Sequence, residues 1–229
     1  MLNFLHLKKI NILTQLNLEE KFLRNFDEPF CIINEGTSDA IILGISNLEK
    51  DLVHLQNTKK DKIPLIKRFT AGGCVFVDQN TLFVTFIFSK KYLDITFFPE
   101  PILRWAETFY KKVFDLKSFK LIENDFVIDD KKVAGNAMYI KKDRFLLHSS
   151  FLLDFDKNKM QKYLKTPKIT PQYRKDRAHS NFLAPIKSRY SKDEFIQKIK
   201  IALKNSFNLK DYNLSQEKLN FQNSSSKIL

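Results

Sequence analysis

Glycine is scarce in this chain: 229 residues hold five, Gly36, Gly44, Gly72, Gly73 and Gly135, where average usage of about 7% would give roughly 16. Glycines kept in so sparing a sequence have a backbone reason to be there. Cysteine is scarcer still. Cys31 and Cys74 cannot build a disulfide framework or a zinc site by themselves, and a reducing compartment is expected. No apolar run approaches the roughly 18 residues that a spanning helix needs. The first twenty residues alternate polar and apolar with no small-residue cleavage site, so a soluble, unprocessed, cytoplasmic protein with no membrane partner is expected.

Phenylalanine and lysine are abundant. The 22 Phe and the 43% hydrophobic content exclude a disordered chain and supply a sizeable core. Lys and Arg total 39 against 26 Asp and Glu, a net charge of +13. Between Lys157 and Arg177 eight basic residues face one acid, Asp176, with Tyr163, Tyr173 and nearby Phe182 interleaved. That pattern admits a nucleic-acid-binding module. Yet the excess is lysine, 32 against 7 Arg, and no nucleic-acid motif accompanies it, so attraction to an acidic protein is the better functional use.

Periodicity predicts a strand near Phe4–Ile12, then a helix over Thr14–Asn25 with Leu16, Glu19, Glu20 and Leu23 at helical spacing. Strands are expected at Phe30–Asn34 and Ala40–Ile45, a helix at Asn47–Gln56, and a loop from Asn57 to Pro64. Strands at Leu65–Phe69, Cys74–Asp78 and Thr81–Ser89 precede a helix opened by Pro101 and running to about Asp115. Three more strands, Phe119–Ile128, Lys132–Ile140 and Arg144–Phe155, lead to a helix at Lys157–Leu164 and a proline-marked loop. A final helix, Ser191–Phe207, carries the capping pair Ser191 and Glu194, and the residues from Gln216 onward are expected to fray. Strands and helices do not alternate, which favours an α+β fold with mixed, largely antiparallel sheets and packed helices. The expected organisation is one domain over 1–210, a tail over 211–229 and no separate accessory domain.

Two segments concentrate chemistry. In Lys67-Arg68-Phe69-Thr70-Ala71-Gly72-Gly73-Cys74-Val75 a basic pair runs into a Gly-Gly turn between strands. Backbone N–H groups there can approach a phosphate or carboxylate, and Arg68 adds a forked, permanent charge. The segment is neither a Walker A loop nor a dinucleotide fingerprint. In Lys131-Lys132-Val133-Ala134-Gly135-Asn136-Ala137 small residues clear space beside a lysine, which can then neutralise charge developing on an oxygen.

Together the segments resemble the paired signatures of the lipoate-protein ligase A family, within the biotin and lipoate protein ligases. KRFTAGGCVFVD stands where the family has Arg-Arg-x-Ser-Gly-Gly-Gly-Ala-Val-x-His-Asp. Asn124-Asp125, KVAGNA and LLHSSFLLDFD follow in family order, and similarity covers about residues 12 to 190. The resemblance implies the ligase catalytic-domain fold and transfer of a lipoyl or octanoyl group to a carrier lysine through an acyl-adenylate. ATP, Mg2+ and lipoic or octanoic acid would be the substrates. The acceptors would be lipoyl domains of 2-oxoacid dehydrogenases or the glycine cleavage H protein.

By the same resemblance Lys132 is the catalytic lysine, contacting the acyl carbonyl and the adenylate phosphate. Arg68 would hold phosphate or carboxylate, and Gly73, Cys74, Val75 and Phe76 would line the nucleotide. Asn124 and Asp125 fall in the magnesium and phosphate region without a dedicated metal site, and Asn136 and Ala137 border the adenylate. Ala71, Gly72, Gly135 and His148 would face the substrate. Three positions depart from the pattern: Ala71 replaces the first glycine of the triplet, Val77 a histidine, and Met138 a frequent glutamine. Room for only one helix and a tail after residue 190 leaves open a single-domain ligase, the transferase half of a two-protein ligase with a separate accessory protein, or an enzyme using a preformed acyl donor. An inactive relative is a further alternative. A biotin ligase ranks low because its Gly-Arg-Gly-Arg type motif is absent. Cys74 occupies the place of a small apolar residue and reads as a buried inert thiol, which favours adenylate chemistry over a thioenzyme.

Overall fold

The structure, a computed structural model, describes residues 1–168, 170–175, 177–214, 221 and 224–229. The chain begins with β1 (Leu2–Leu7), α1 (Ile12–Asn25), β2 (Phe30–Glu35), β3 (Ala40–Leu43), α2 (Glu49–Leu52) and α3 (Leu55–Lys60). It continues through β4 (Leu65–Lys67), β5 (Cys74–Val77), β6 (Thr81–Ser89), α4 (Pro99–Phe114), β7 (Phe119–Ile122) and β8 (Asp125–Ile128). Then come β9 (Lys131–Ile140), β10 (Arg144–Leu152), α5 (Lys157–Tyr163), α6 (His179–Phe182), α7 (Lys192–Ser206), β11 (Leu209–Asp211) and β12 (Lys227–Ile228).

These strands form an eight-stranded sheet, ordered β11-β1-β2-β6-β10-β9-β8-β7, and a four-stranded one, β12-β4-β3-β5. Pairing is antiparallel except at β1/β11, β1/β2 and β3/β4. The architecture is thus the mixed, mainly antiparallel α+β fold expected.

β6 organises the core because all nine of its residues are buried. Its period of two sends Val84, Phe86 and Phe88 toward α4 and α7, whereas Ile87 meets Leu18, Phe22 and Leu23 of α1. Each buried phenylalanine contributes about 1.5–3 kcal/mol of transfer free energy. α1 also reaches the small sheet, where Ile12 and Leu16 pack on Ile42, Ile66 and Val77. The opposite face of the small sheet is covered by Met160 and Tyr163 of α5 and Phe182 of α6. The site lies between the two sheets. α7 starts as read, with both halves of the Ser191–Glu194 capping box formed.

Four expectations are corrected. The helix over Asn47–Gln56 is broken: Val53 is fully buried, bridges Leu164 in extended form, and separates α2 from α3. The strand over Phe119–Ile128 is two strands, hinged where Glu123 takes φ 52°. The expected loop over Asn57–Pro64 is helical as far as Lys60, the end of α3. The tail does not fray where it is described. Tyr212 packs edge-on to Phe22 and Phe30, and Lys227–Ile228 adds a strand to β4. The expectation for 215–220 and 222–223 lies outside the described residues.

Candidate functional site

Lys132 and Gly135 open the site. Residues three apart on a regular strand point to opposite faces. β9, however, carries an irregularity against β8, pairing Ala134 with Phe126 but Lys132 with Val127, so that Val133 is the extra residue. The bulge turns Lys132 to the same side as Gly135. A Cβ at Gly135 would stand 3.3 Å from Lys132 Nζ. The ammonium pairs with Asp125 Oδ1 at 2.8 Å, and the second oxygen of Asp125 accepts the Tyr173 hydroxyl at 2.9 Å. Burial, with the charge of Asp125 adding to it, pushes the Tyr173 phenol far up, so it stays a donor. The Lys132 carbonyl accepts from Ala184 N–H at 2.9 Å, which ties β9 to the end of the basic loop.

The second wall is the Arg68 to Val75 segment. Gly72 has φ 127°, and a Cβ there would lie 2.5 Å from Arg68 Nη2, so this position requires glycine. Arg68 is buried, and its Nη2 donates to Gly73 O at 3.1 Å and to Ala71 O at 3.5 Å. Arg68 Nε and Thr70 Oγ1 are buried with no hydrogen-bond partner among the described residues. Burial lowers the Arg68 guanidinium to about 10, against the opposing pull of Cys74 and Glu19, and it remains a cation at neutral pH. Burial likewise pushes the Cys74 thiol up to about 12, despite the neighbouring Arg68.

Two cavities, about 600 and 460 Å³, meet here and share Gly73, Cys74, Val75, Asn124, Asp125, Lys132 and Gly135 in their walls. The larger continues over Phe76 toward Lys165, Lys168 and Arg174. The smaller is lined by Arg68, Ala71, Gly72, Asn136, Ala137 and His148 and by the apolar Leu16, Ile42, Phe83 and Leu103. Every residue to which the resemblance gave a site role therefore lies in one or both walls. Asn136 is held by donating to Asn124 O at 2.9 Å and accepting from Ser149 Oγ at 2.6 Å. Two departures from the family pattern, Ala71 and Met138, are backbone partners of each other, with Ala71 N–H reaching Met138 O at 3.0 Å.

Sequence reading missed Glu19, Gln15, Thr85 and Tyr173. Glu19 is fully buried, contacts His148 Nδ1 at 2.9 Å and accepts from Thr85 Oγ1 at 2.6 Å and Gln15 Nε2 at 2.7 Å. The available signal was an acid in the buried stripe of α1. Tyr173 gave none, because only folding brings its loop to Asp125. Among the described residues no cluster of three metal-binding side chains exists, and both Asp125 oxygens have partners.

Residues 11–208 match the family model described as the lipoyl protein ligase A/B catalytic domain, and the chain belongs to that family. It is 28% identical over 297 aligned residues to a Plasmodium falciparum protein named inactive lipoate–protein ligase 2, covering 100% of this chain and 77% of that one. It spans half or less of the length of bacterial lipoate–protein ligases that it also matches. Among solved structures, a bipartite lipoate protein ligase from Thermoplasma acidophilum, described together with its E2 lipoyl domain, superposes with TM-score 0.77 at 20% identity, over 94% of this chain and 88% of that one. A lipoate-protein ligase A bound with ATP superposes with TM-score 0.74 at 20% identity, over 94% and 90%. At that identity the superpositions show the fold.

Proposed function

We propose that the chain transfers a lipoyl or octanoyl group to the lysine amine of a lipoyl carrier domain through an acyl-adenylate. The observation that carries this reading is Lys132 standing where the lobe that holds Leu16, Ile42, Phe83 and Leu103 meets the lobe that runs toward Lys165, Lys168 and Arg174. An acyl chain fits among Leu16, Ile42, Phe83 and Leu103, and AMP fits along Gly73 to Phe76. The mixed anhydride joining them would then fall beside the Lys132 ammonium. Arg68, which lines the smaller lobe, is the cation that an anionic substrate group would meet there.

In activation a carboxylate oxygen attacks the α-phosphorus of ATP, the acyl–phosphate bond forms and pyrophosphate leaves. In transfer the neutral acceptor amine attacks the acyl carbon, the amide forms, AMP departs with the C–O bond electrons and the amine loses a proton. Both steps build negative charge on oxygens that one fixed ammonium can stabilise. Asp125 would orient that ammonium and Tyr173 would orient Asp125. Magnesium would arrive on the nucleotide phosphates, as is usual for this ion.

A second reading, transfer from a preformed adenylate supplied by another protein, is favoured by the Ala71–Met138 pair, which alters the substrate wall at two touching positions. Incubation with lipoate, ATP, Mg2+ and a lipoyl domain, followed by intact mass, tests the first reading; lipoyl-adenylate with the same domain tests the second. Modification in both mixtures supports a ligase, and modification from the adenylate alone supports a transferase. Failure in both, with transfer from an octanoyl carrier thioester, contradicts the adenylate chemistry.

A further inference from the structure

Residues 224–229 lie across the two elements that frame the smaller lobe. On one side Lys227 pairs with Lys67 and Ile228 with Ile66, and Leu229 N–H donates to Leu65 O at 2.8 Å. One step further, the Phe69 N–H donates to Ser226 Oγ at 3.1 Å, a buried bond between residues 157 apart in sequence. Lys67 and Phe69 flank Arg68, so this segment holds the backbone on both sides of the guanidinium. On the other side the segment grips α1. Ser225 N–H reaches Glu20 Oε2 at 2.9 Å, Ser225 Oγ reaches Oε1 at 2.7 Å and Ser224 Oγ reaches Oε2 at 3.1 Å. Glu20 is buried and adjoins Glu19, the partner of His148.

We infer that Ser224–Ile228 is a strap that sets the position of Arg68, with Ser226 as a positioning residue for substrate binding. Arg68 begins where β4 ends, and the chain then enters the Gly72 turn. Unlike a residue inside a strand, it has no regular ladder on both sides to fix it. On the β3 side its own N–H donates to Leu43 O at 2.9 Å; on the opposite side the β12 pairing before Arg68 and the Ser226 hydroxyl after it complete the support. An unsupported Phe69 N–H would sit buried without an acceptor, and the Arg68 backbone would gain freedom. Its side chain would then reach the lobe in more than one geometry, which weakens an anion contact that depends on direction. The strap therefore acts through Arg68 and touches neither substrate lobe.

The inference rests on Arg68 contacting the acyl-adenylate, so the test separates the two ideas. Calorimetric binding of a non-hydrolysable lipoyl-adenylate analogue is compared for the full chain, Arg68→Gln, Ser226→Ala and the double variant. Hydrogen exchange is followed over residues 65–73. Arg68→Gln is expected to weaken binding, and Ser226→Ala to weaken it about three- to tenfold, the scale of one hydrogen bond, with faster exchange confined to 65–73. In the double variant Ser226→Ala should add nothing to Arg68→Gln, a coupling that a general loss of stability would not produce. Additive effects, or unchanged binding in Ser226→Ala beside weakened binding in Arg68→Gln, overturn the strap and leave the site reading intact. Unchanged binding in Arg68→Gln overturns the site reading instead. If Ser226→Ala does not fold, Ser225→Asp, which sets a carboxylate against Glu20 at an exposed position, is read against the same criteria.

Discussion

Lys132 and Gly135 face the same side of β9 although they stand three positions apart, because the bulge at Val133 shifts the strand by one. The catalytic reading of Lys132 therefore depends on a missing side chain as much as on a charge. Gly135→Ala would bring a Cβ to 3.3 Å from Nζ and 3.4 Å from Cε of Lys132, and the flexible end of the lysine would yield. Acyl transfer is expected to fall roughly tenfold, short of the ~10²-fold that an ångström of misplacement can cost, with the melting temperature nearly unchanged. Single-turnover transfer and thermal unfolding measure the two.

Gly72→Ala should harm stability as well as binding. The residue sits at φ 127°, and the added Cβ meets Arg68 Nη2 at 2.5 Å. A strained backbone of this kind costs about 1–3 kcal/mol. The predicted outcome is a lower denaturant midpoint together with weaker adenylate-analogue binding.

Cys74 lines both lobes, yet burial holds its thiol up to about 12. Thiolate is the nucleophilic form, so slow alkylation by iodoacetamide at pH 8 is expected, rising only as pH approaches that value or the chain unfolds. Cys74→Ala should keep acyl transfer within roughly twofold, since a half-buried thiol held protonated acts as a small hydrophobe. An acyl-thioester adduct trapped on Cys74 would argue for a thioenzyme.

Glu20 gives the strap a pH dependence. Burial pushes its carboxyl up, but the Ser225 hydrogen bonds and then Arg24 outweigh this and hold it below the usual 4.5. A carboxyl lowered in the folded state contributes stability above its unfolded pKa and loses it as pH falls through the folded value. The strap should thus stay docked at neutral pH and loosen only on acidification below about 4.5. The Ser225 amide resonance followed by NMR against pH checks this, and Glu20→Gln should abolish the transition.

Much of the candidate site could be read in sequence because its residues lie in short local runs. Arg68 to Val75 and Lys132 to Ala137 are short runs whose glycines stand out in a glycine-poor chain. What escaped was non-local. Tyr173 reaches Asp125 across 48 residues, Glu19 reaches His148 across 129, and Ser226 reaches Phe69 across 157. Local propensity misled where tertiary packing overrode it. Val53 lies inside a helical pattern, but its buried bridge to Leu164 breaks the helix. The polar Ser224–Ser226 run suggests a free end, but the Ser224 and Ser225 hydroxyls and the Ser225 N–H satisfy a buried carboxylate, and the Ser226 hydroxyl accepts from Phe69 N–H.

In the proposed function one ammonium, fixed by Asp125 between the two lobes, drives transfer from the adenylate. The direct measurement is single-turnover transfer from preformed lipoyl-adenylate to a lipoyl domain, for the natural chain and for Lys132→Ala, with folding checked by thermal unfolding. Loss of one fixed electrostatic stabiliser predicts a fall of about 10²–10³-fold in rate with the fold retained. A natural chain that transfers the group and a Lys132→Ala variant that transfers it equally fast would contradict the account.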